Sequence, residues 1–433
     1  MNWWLLLFVC FIVFLTPLAP KAEETYTFDL SEIEKKPYHI DGYVEVKPLI
    51  YQPRADSSLY QLKYPKQDLG RSLEEAIFKL QLEGTYESGN ALLHFKTNTN
   101  YKLSRLGDRE STDLYEGYFS LKPSPAWQID VGKKTFKWGK GYAWNPAAFL
   151  DRPKDPEDPE LGMEGVFALS ANYIKSFSGN LKTFSPSFVL QPIYDHINDE
   201  FGKKNYINAA AKLYFLFYDT DIDLMVLTGG SYTSRFGADF SRNLTPNWEI
   251  HGEIAFIRDS QKSIISPIGT VTSVERDTTN YLIGSRYLTE RDTTYLIEYY
   301  HNDTGFTGDE MKEFFLFAYN AYRKYTETSN DTDLKKALQL FNGQYGRPSP
   351  TRDYLYLRIS QKEPFDILYF TPAITTILNL NDRSFTISPE VSYTGLTNFD
   401  IRLKISMNSG SSESEYGEKP FAAKIELRIG YYF

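Results

Sequence analysis

Cysteine is almost missing from this 433-residue chain: Cys10, inside the leading apolar stretch, is the one there is. The rest of the chain therefore forms neither a disulfide framework nor a thiolate metal site. Long apolar runs are missing too. Beyond the first eighteen residues none reaches the length of a membrane-spanning helix, and the mean hydropathy is −0.42. His39, His94, His196, His251 and His301 fall on separate segments with no metal-ligand spacing, and there is no nucleophile motif, phosphate-binding loop or dinucleotide fingerprint. No catalytic residue, metal or cofactor is expected, and an enzyme is not the expected class. A basic excess is also lacking, and a net charge of −9 argues against nucleic acid as a partner.

What the chain has in plenty is aromatic residues, 16 % in all, with 33 Tyr and 30 Phe. A tyrosine ring with a polar tip suits both membrane interfaces and wet channel walls. If this chain crosses a membrane, it does so with strands.

Residues Trp3 to Leu18 are nearly all apolar, Pro17 and Pro20 break the run, and Ala19 or Ala22 precedes the acidic pair Glu23-Glu24. This layout predicts a secretory signal peptide over residues 1–22 and Sec-type export. Because the start lacks Lys and Arg and Pro20 sits three residues before a cut after Ala22, an uncleaved anchor is the alternative. Residues 23–38 are expected to be a polar periplasmic lead-in, and 39–433 a single barrel domain.

From His39 onward, segments of alternating polar and apolar residues recur. In Glu75 to Tyr86, for example, Phe78, Leu80 and Leu82 alternate with Lys79, Gln81 and Glu83. Side chains of a strand point alternately to opposite faces, so each such segment has one apolar and one polar face. We count eighteen. Even-numbered links are tight, as in Glu87 to Asn90, Tyr218 to Thr220 and Thr394 to Leu396, whereas odd-numbered links are mostly long: Gln52 to Glu74, Ser104 to Thr112, Lys137 to Glu164, Asp195 to Lys204, Asp259 to Thr279, Asn302 to Arg352 and Asn408 to Phe421. Thr233 to Arg235 and Asn379 to Arg383 are the short exceptions. Up-and-down strands place odd and even links at opposite ends, and a soluble sandwich has no reason to sort loop length this way. The expected fold is all-β: a transmembrane antiparallel up-and-down barrel of about 18 strands, with 16 as the alternative, long loops outside and both chain ends in the periplasm. Such a barrel is too wide for its own side chains to fill.

The last segment, Ala422 to Phe433, alternates strictly and ends on aromatics at its apolar face. With Tyr431 and Phe433 as targeting residues, it resembles the C-terminal signal of bacterial outer-membrane barrels that the barrel-assembly machinery reads. The passage I-D-V-G-K-K-T-F-K-W-G-K-G-Y-A-W-N-P, Ile129 to Pro146, resembles the strand-loop passage of porin-like outer-membrane families, including those named for alginate export. The resemblance covers about thirty residues. It implies a Gram-negative outer-membrane barrel surrounded by lipid and transfers no substrate-binding residue.

By alternation, the inward wall carries Lys79, Lys96, Lys134, Lys212, Glu253, Glu298, Arg402, Lys404, Lys424, Glu426 and Arg428. These either form a basic stripe that draws anions or pair with acids along and across strands. The link after the fifth strand holds Trp138, Lys140, Tyr142, Trp144 and Phe149, then a Pro-punctuated run with Asp151, Arg152, Lys154, Asp155, Glu157 and Asp158. Four large aromatics need something to pack on. Residues 137–164 therefore fold inward as a constriction or pack on the barrel rim. In the longest link, 302–352, Thr307 to Glu310 form a capping box ahead of apolar residues at helical spacing. A second such stretch follows, predicting a helical hairpin that acts as lid, plug or docking surface. Two functions remain open: a channel for passive diffusion of hydrophilic solutes or export of a polymer, and a sheath or assembly barrel whose lumen holds a partner protein. A homo-oligomer is compatible with either.

Overall fold

The computed structural model describes residues 36–433. The predicted signal peptide and nearly all of the lead-in lie outside the described residues.

The strands are β1 (Tyr38–Pro53), β2 (Leu73–Ser88), β3 (Ala91–Ser104), β4 (Arg109–Ser124), β5 (Trp127–Lys134), β6 (Val166–Tyr173, resuming at Lys175–Ser176), β7 (Leu181–Ile193), β8 (Tyr206–Phe217) and β9 (Thr220–Gly229). They continue as β10 (Arg235–Thr245), β11 (Trp248–Ile265), β12 (Val271–Leu288), β13 (Thr293–His301), β14 (Asp353–Gln361), β15 (Phe370–Asn379), β16 (Phe385–Tyr393), β17 (Phe399–Ser409) and β18 (Phe421–Tyr432). Each pairs antiparallel with its neighbours in sequence, and β1 pairs with β18 in register Val46↔Ile429 and Ile50↔Ile425. The sheet thus closes into an eighteen-stranded barrel. At the seam, Gly42 and Phe433 exchange backbone hydrogen bonds of 2.8 and 3.0 Å, and the Phe433 ring lies over Gly42.

Closure matters because hydrocarbon offers no partner for backbone N–H and C=O groups, and a closed barrel pairs them all internally. Alternation then does the rest. On β12 and β13, Tyr281, Ile283, Tyr287, Tyr295 and Ile297 are exposed on the outside, whereas Leu282, Leu296 and Glu298 are buried inside. The same pattern recurs around the wall, with Leu80, Phe95, Phe188, Leu224, Ile254 and Ile425 facing out. An apolar outer surface of this extent has one compatible solvent, the lipid of an outer membrane.

Two links depart from expectation. The link expected over Ser104 to Thr112 is only a turn of residues 105–108, because β4 pairs with β3 out to Lys102↔Arg109. Residues 259–279 are not a long loop: β11 and β12 continue past the bulge between Ile257 and Ser260 as a paired hairpin up to Ile265↔Val271, leaving only residues 266–270 as the turn. The sequence of this extension, R-D-S-Q-K-S-I-I against V-T-S-V-E-R-D-T, carries no apolar alternation to reveal it. A short helix, α1 (Ser58–Lys63), also lies in the first long link.

The helical hairpin forms as α2 (Gly308–Thr328) and α3 (Thr332–Leu340). Its start has the reciprocal cap: Glu310 N donates to Thr307 Oγ1 at 3.1 Å and Thr307 N to Glu310 Oε2 at 2.8 Å. The apolar stripe, with Phe314, Phe317 and Ala318, is buried not on the partner helix alone but also on Leu59 and Leu62 of α1 and Ile265 of the extended hairpin.

Candidate functional site: a segment that crosses the lumen

Residues 135–165 leave the wall at β5 and return to it at β6. Between these strands the chain crosses the barrel. Its first stretch runs toward β9, β11 and β13, and backbone N–H groups are what hold it. Asp151 accepts from Phe136 and Trp138, each at 2.9 Å. Glu253 of β11 accepts from Lys140 and Gly141 through Oε1 and from Ala147 through Oε2 at 3.0 Å. Glu298 of β13 accepts from Tyr142 and, at 2.8 Å, from Ala143, and it also meets His251 Nε2 at 2.8 Å. Seven N–H groups of residues 136–147 thus point at three buried carboxylates. Hydrogen bonds to charged acceptors are each worth about 1.5–3 kcal/mol. Burying the acceptors without such donors would instead carry a penalty of several kcal/mol.

Local sequence makes this possible. Gly139 has φ +89°, and a Cβ there would lie 2.7 Å from Glu253 Oε1; a Cβ on Gly141 would lie 2.2 Å from the Trp144 carbonyl oxygen. Only glycine lets the backbone come this close.

The aromatics fix the segment on two sides. Trp138, Phe149 and Leu150 pack on wall residues Ala168, Val189, Ala210, Met225 and Leu227. Trp144 stacks on Tyr300 at 5.1 Å between ring centroids, meets Tyr354 and Tyr356, and donates from Nε1 to Ser349 Oγ at 2.8 Å. Lys140 reaches Asp223 at 3.0 Å, and Tyr142 donates to Glu160 at 2.9 Å.

The charged half then runs to the far wall. Lys404 of β17 donates to the Glu157 carbonyl, Arg428 of β18 pairs with Asp158, and Arg402 lies 3.6 Å from Glu160. Lys419, in the loop of residues 410–420, pairs with Glu157 at 2.8 Å and holds its carboxyl at about 2. That loop also folds inward. Glu415 Oε2 accepts from the Tyr354 hydroxyl at 2.6 Å and from Asn379 at 2.8 Å; burial pushes its carboxyl up to about 7, with Lys419 and Tyr354 opposing.

The remaining sequence-selected residues fall as follows. Arg152 pairs with Glu164 at 2.9 Å and Glu200 at 2.6 Å, Lys154 donates to the Gly141 carbonyl at 2.6 Å, and Asp155 accepts from Glu157 N at 2.9 Å in a local turn. Trp138 and Asp151 are buried and serve as anchors. On the wall, Lys96 pairs with Glu83 at 3.0 Å, Lys134 with Asp130 at 2.6 Å, Lys424 with Glu426 at 3.3 Å and Arg428 with Glu426. Lys212 lies 3.6 Å from Asp223. Lys79 has no acid partner among the described residues and lies 5.8 Å from the Tyr43 ring centroid. The charges therefore mostly pair, and no continuous basic stripe is left. Tyr431 and Phe433 lie at the outward face of the seam, with their rings stacked at 6.3 Å.

Two spaces remain. One, of about 740 Å³, lies between residues 158–162 and the wall of β1–β4, β17 and β18, with Lys79, Lys102, Arg109, Glu110, Arg402 and Arg428 around it. The other, about 800 Å³, opens beside Trp144, Arg152 and the loop that follows α3.

No protein-family model matches the chain, and no curated protein does. Among solved structures it is similar to Wzi of Escherichia coli, described as an outer-membrane protein involved in group 1 capsule assembly and a carbohydrate-binding β-barrel. The TM-score is 0.51 at 11 % identity over 92 % of this chain and 85 % of that one. OccK11 (OpdR) of Pseudomonas aeruginosa matches with TM-score 0.49 at 9 % identity over 91 % and 96 %, and a mutant form of Rh. blastica porin with 0.44 at 10 % over 92 % and 100 %. Together with the closed wall and its lipid-facing surface, the likeness to Wzi defines the fold as that of a bacterial outer-membrane β-barrel.

Proposed function

We propose that this protein is an outer-membrane channel for hydrophilic solutes whose resting lumen is narrowed by residues 137–164. The observation that carries the reading is the set of seven backbone N–H groups held by Asp151, Glu253 and Glu298. An adventitious loop collapse would not aim consecutive amides at buried acids supplied by two separate strands. Flow past the segment runs along the charged space beside Asp158 and Glu160, where groups of both signs replace part of a solute's hydration. Trp138 and Asp151 anchor the segment; Asp158, Glu160, Arg402 and Arg428 form the selecting surface. The mechanism is passive, with width and charge as the filter and no energy coupling.

Planar-bilayer recording of purified protein tests this. Rare, small steps are expected from the wild type, and larger or more frequent ones once Glu253 or Glu298 is neutralised. A second reading, an assembly barrel that handles a polymer at its extracellular end, is favoured by how fully residues 135–165 and 410–420 occupy the interior. It agrees with the description of Wzi as a carbohydrate-binding barrel. Silence from both wild type and neutralised variants, in protein that is correctly assembled, selects that reading.

A further inference from the structure

The 800 Å³ space beside Trp144 contains an imbalance that the constriction does not use. Arg235, at the first position of β10, and Arg347, just past the π-helical turn Phe341–Tyr345, both line it. Neither guanidinium forms an ion pair or a hydrogen bond with any described side chain. Arg235 Nε is shut off from solvent without an acceptor, and its guanidinium carbon sits 4.4 Å from the Tyr232 ring centroid. The acids nearby do not answer them: Asp151 is committed to backbone N–H groups and Glu200 to Arg152, while Asp259 pairs with neither arginine.

Two guanidiniums lining one recessed space, neither paired with an acid, are costly, and a single cation-π contact offsets that cost only in part. Each presents planar paired donors that match an oxyanion, and the low-dielectric walls concentrate their field. We propose that Arg235 and Arg347 form a binding subsite for a carboxylate or phosphate group carried by a hydrophilic molecule, with Tyr232 as the platform that orients Arg235. The subsite joins two elements. Arg347 belongs to the loop whose Ser349 accepts from Trp144 of the crossing segment, so a bound anion would brace the helical hairpin against β10 directly above the constriction. Only its place on a solute route rests on the channel reading; binding itself does not.

The test is isothermal titration of the detergent-solubilised full chain at low ionic strength with trigalacturonate, with inorganic phosphate and with uncharged maltotriose. Saturable binding of trigalacturonate alone identifies the anion as part of a saccharide, and binding of phosphate as well identifies a general oxyanion site. Either outcome supports the subsite provided maltotriose does not bind. Arg235→Gln and Arg347→Gln are each expected to weaken binding at least tenfold, whereas exposed Arg383→Gln leaves it unchanged. Heat-modifiable migration confirms that each variant is folded, and Arg347→Lys, which keeps charge without the fork, is expected to fall in between. Absence of anion binding by the wild type, or unchanged affinity in the folded double Gln variant, overturns the proposal. Bilayer conductance recorded on the same preparations reports on the channel reading separately.

Discussion

Gly139 lies so close to Glu253 that a methyl group on it would sit 2.7 Å from the carboxylate oxygen that receives the next two amides. The contact ties a glycine in the crossing segment to an acid more than a hundred residues further on, in a different strand. It also names the points where the segment can be loosened.

Glu253→Gln keeps the shape but offers one good acceptor oxygen where three N–H groups converge. At least one amide then loses its partner, at about 1–3 kcal/mol. In planar bilayers the variant is expected to open at least ten times more often than the wild type, with Gly139→Ala acting the same way. Unchanged opening in both, with normal assembly, would mean that the segment does not gate the lumen.

Acid should loosen the far end of the segment. Lys419 holds Glu157 at about 2, against an ordinary value of 4.5. A depressed value gives stability that is present above 4.5 and disappears as the pH falls toward 2. Open probability is expected to rise between pH 5 and pH 2.5, and Glu157→Gln should show the acid level of opening already at pH 7. A flat profile in the wild type would remove the Glu157–Lys419 pair from the gating account.

Glu415 runs the other way. Burial raises it to about 7 from 4.5, so the folded loop holds a proton that the unfolded chain releases. The stability this provides is complete below 4.5 and is lost as the pH rises through about 7. The melting temperature in detergent should therefore fall between pH 5 and pH 8, and Glu415→Gln should flatten that slope. Equal slopes in the two proteins would count against it.

The two faces of the wall should respond differently to the same charge. Ile283 faces out and is 59 % exposed, and a lysine facing hydrocarbon costs up to about 4 kcal/mol near the midplane. Ile283→Lys is expected to reduce the amount of heat-modifiable barrel in the outer membrane severalfold. Gln81→Lys, at the edge of the 740 Å³ space, should assemble normally. If both assemble alike, the assignment of faces is wrong.

The wall was legible in the sequence because two solvents write on it. Lipid on one side and water on the other force alternation on each membrane-spanning stretch, and Ile425, Glu426 and Leu427 carry that mark plainly. Where the lipid stops, so does the mark. Residues 260–265 and 271–276 pair as strands with no apolar rhythm to announce them. Parity placed Glu253 and Glu298 on the inner face but could not say what they would hold, because their partners are backbone amides and amides leave no trace in residue identity. Glu415 and Tyr416 sit in a polar stretch that reads as an exposed loop; they are buried because Glu415 accepts from Tyr354 and Asn379 while Tyr416 packs in the cluster of Trp144, Tyr354 and Tyr356, contacts that no local pattern announces. Arg235 and Arg347 are unremarkable alone, and their meeting depends on how the loop after α3 turns back.

The crossing segment leaves from β5 and returns to β6, and these strands are hydrogen-bonded neighbours. It is tethered at both ends and cannot diffuse away once dislodged. Its concentration at its own seat stays in the range of about millimolar that short linkers impose, so reclosure is a first-order event that outpaces any plug arriving from solution. Open periods should be brief, with a lifetime that does not change with the number of barrels in the membrane. On the channel reading proposed above, a cell carrying this protein would regulate permeability by duty cycle rather than by counting pores.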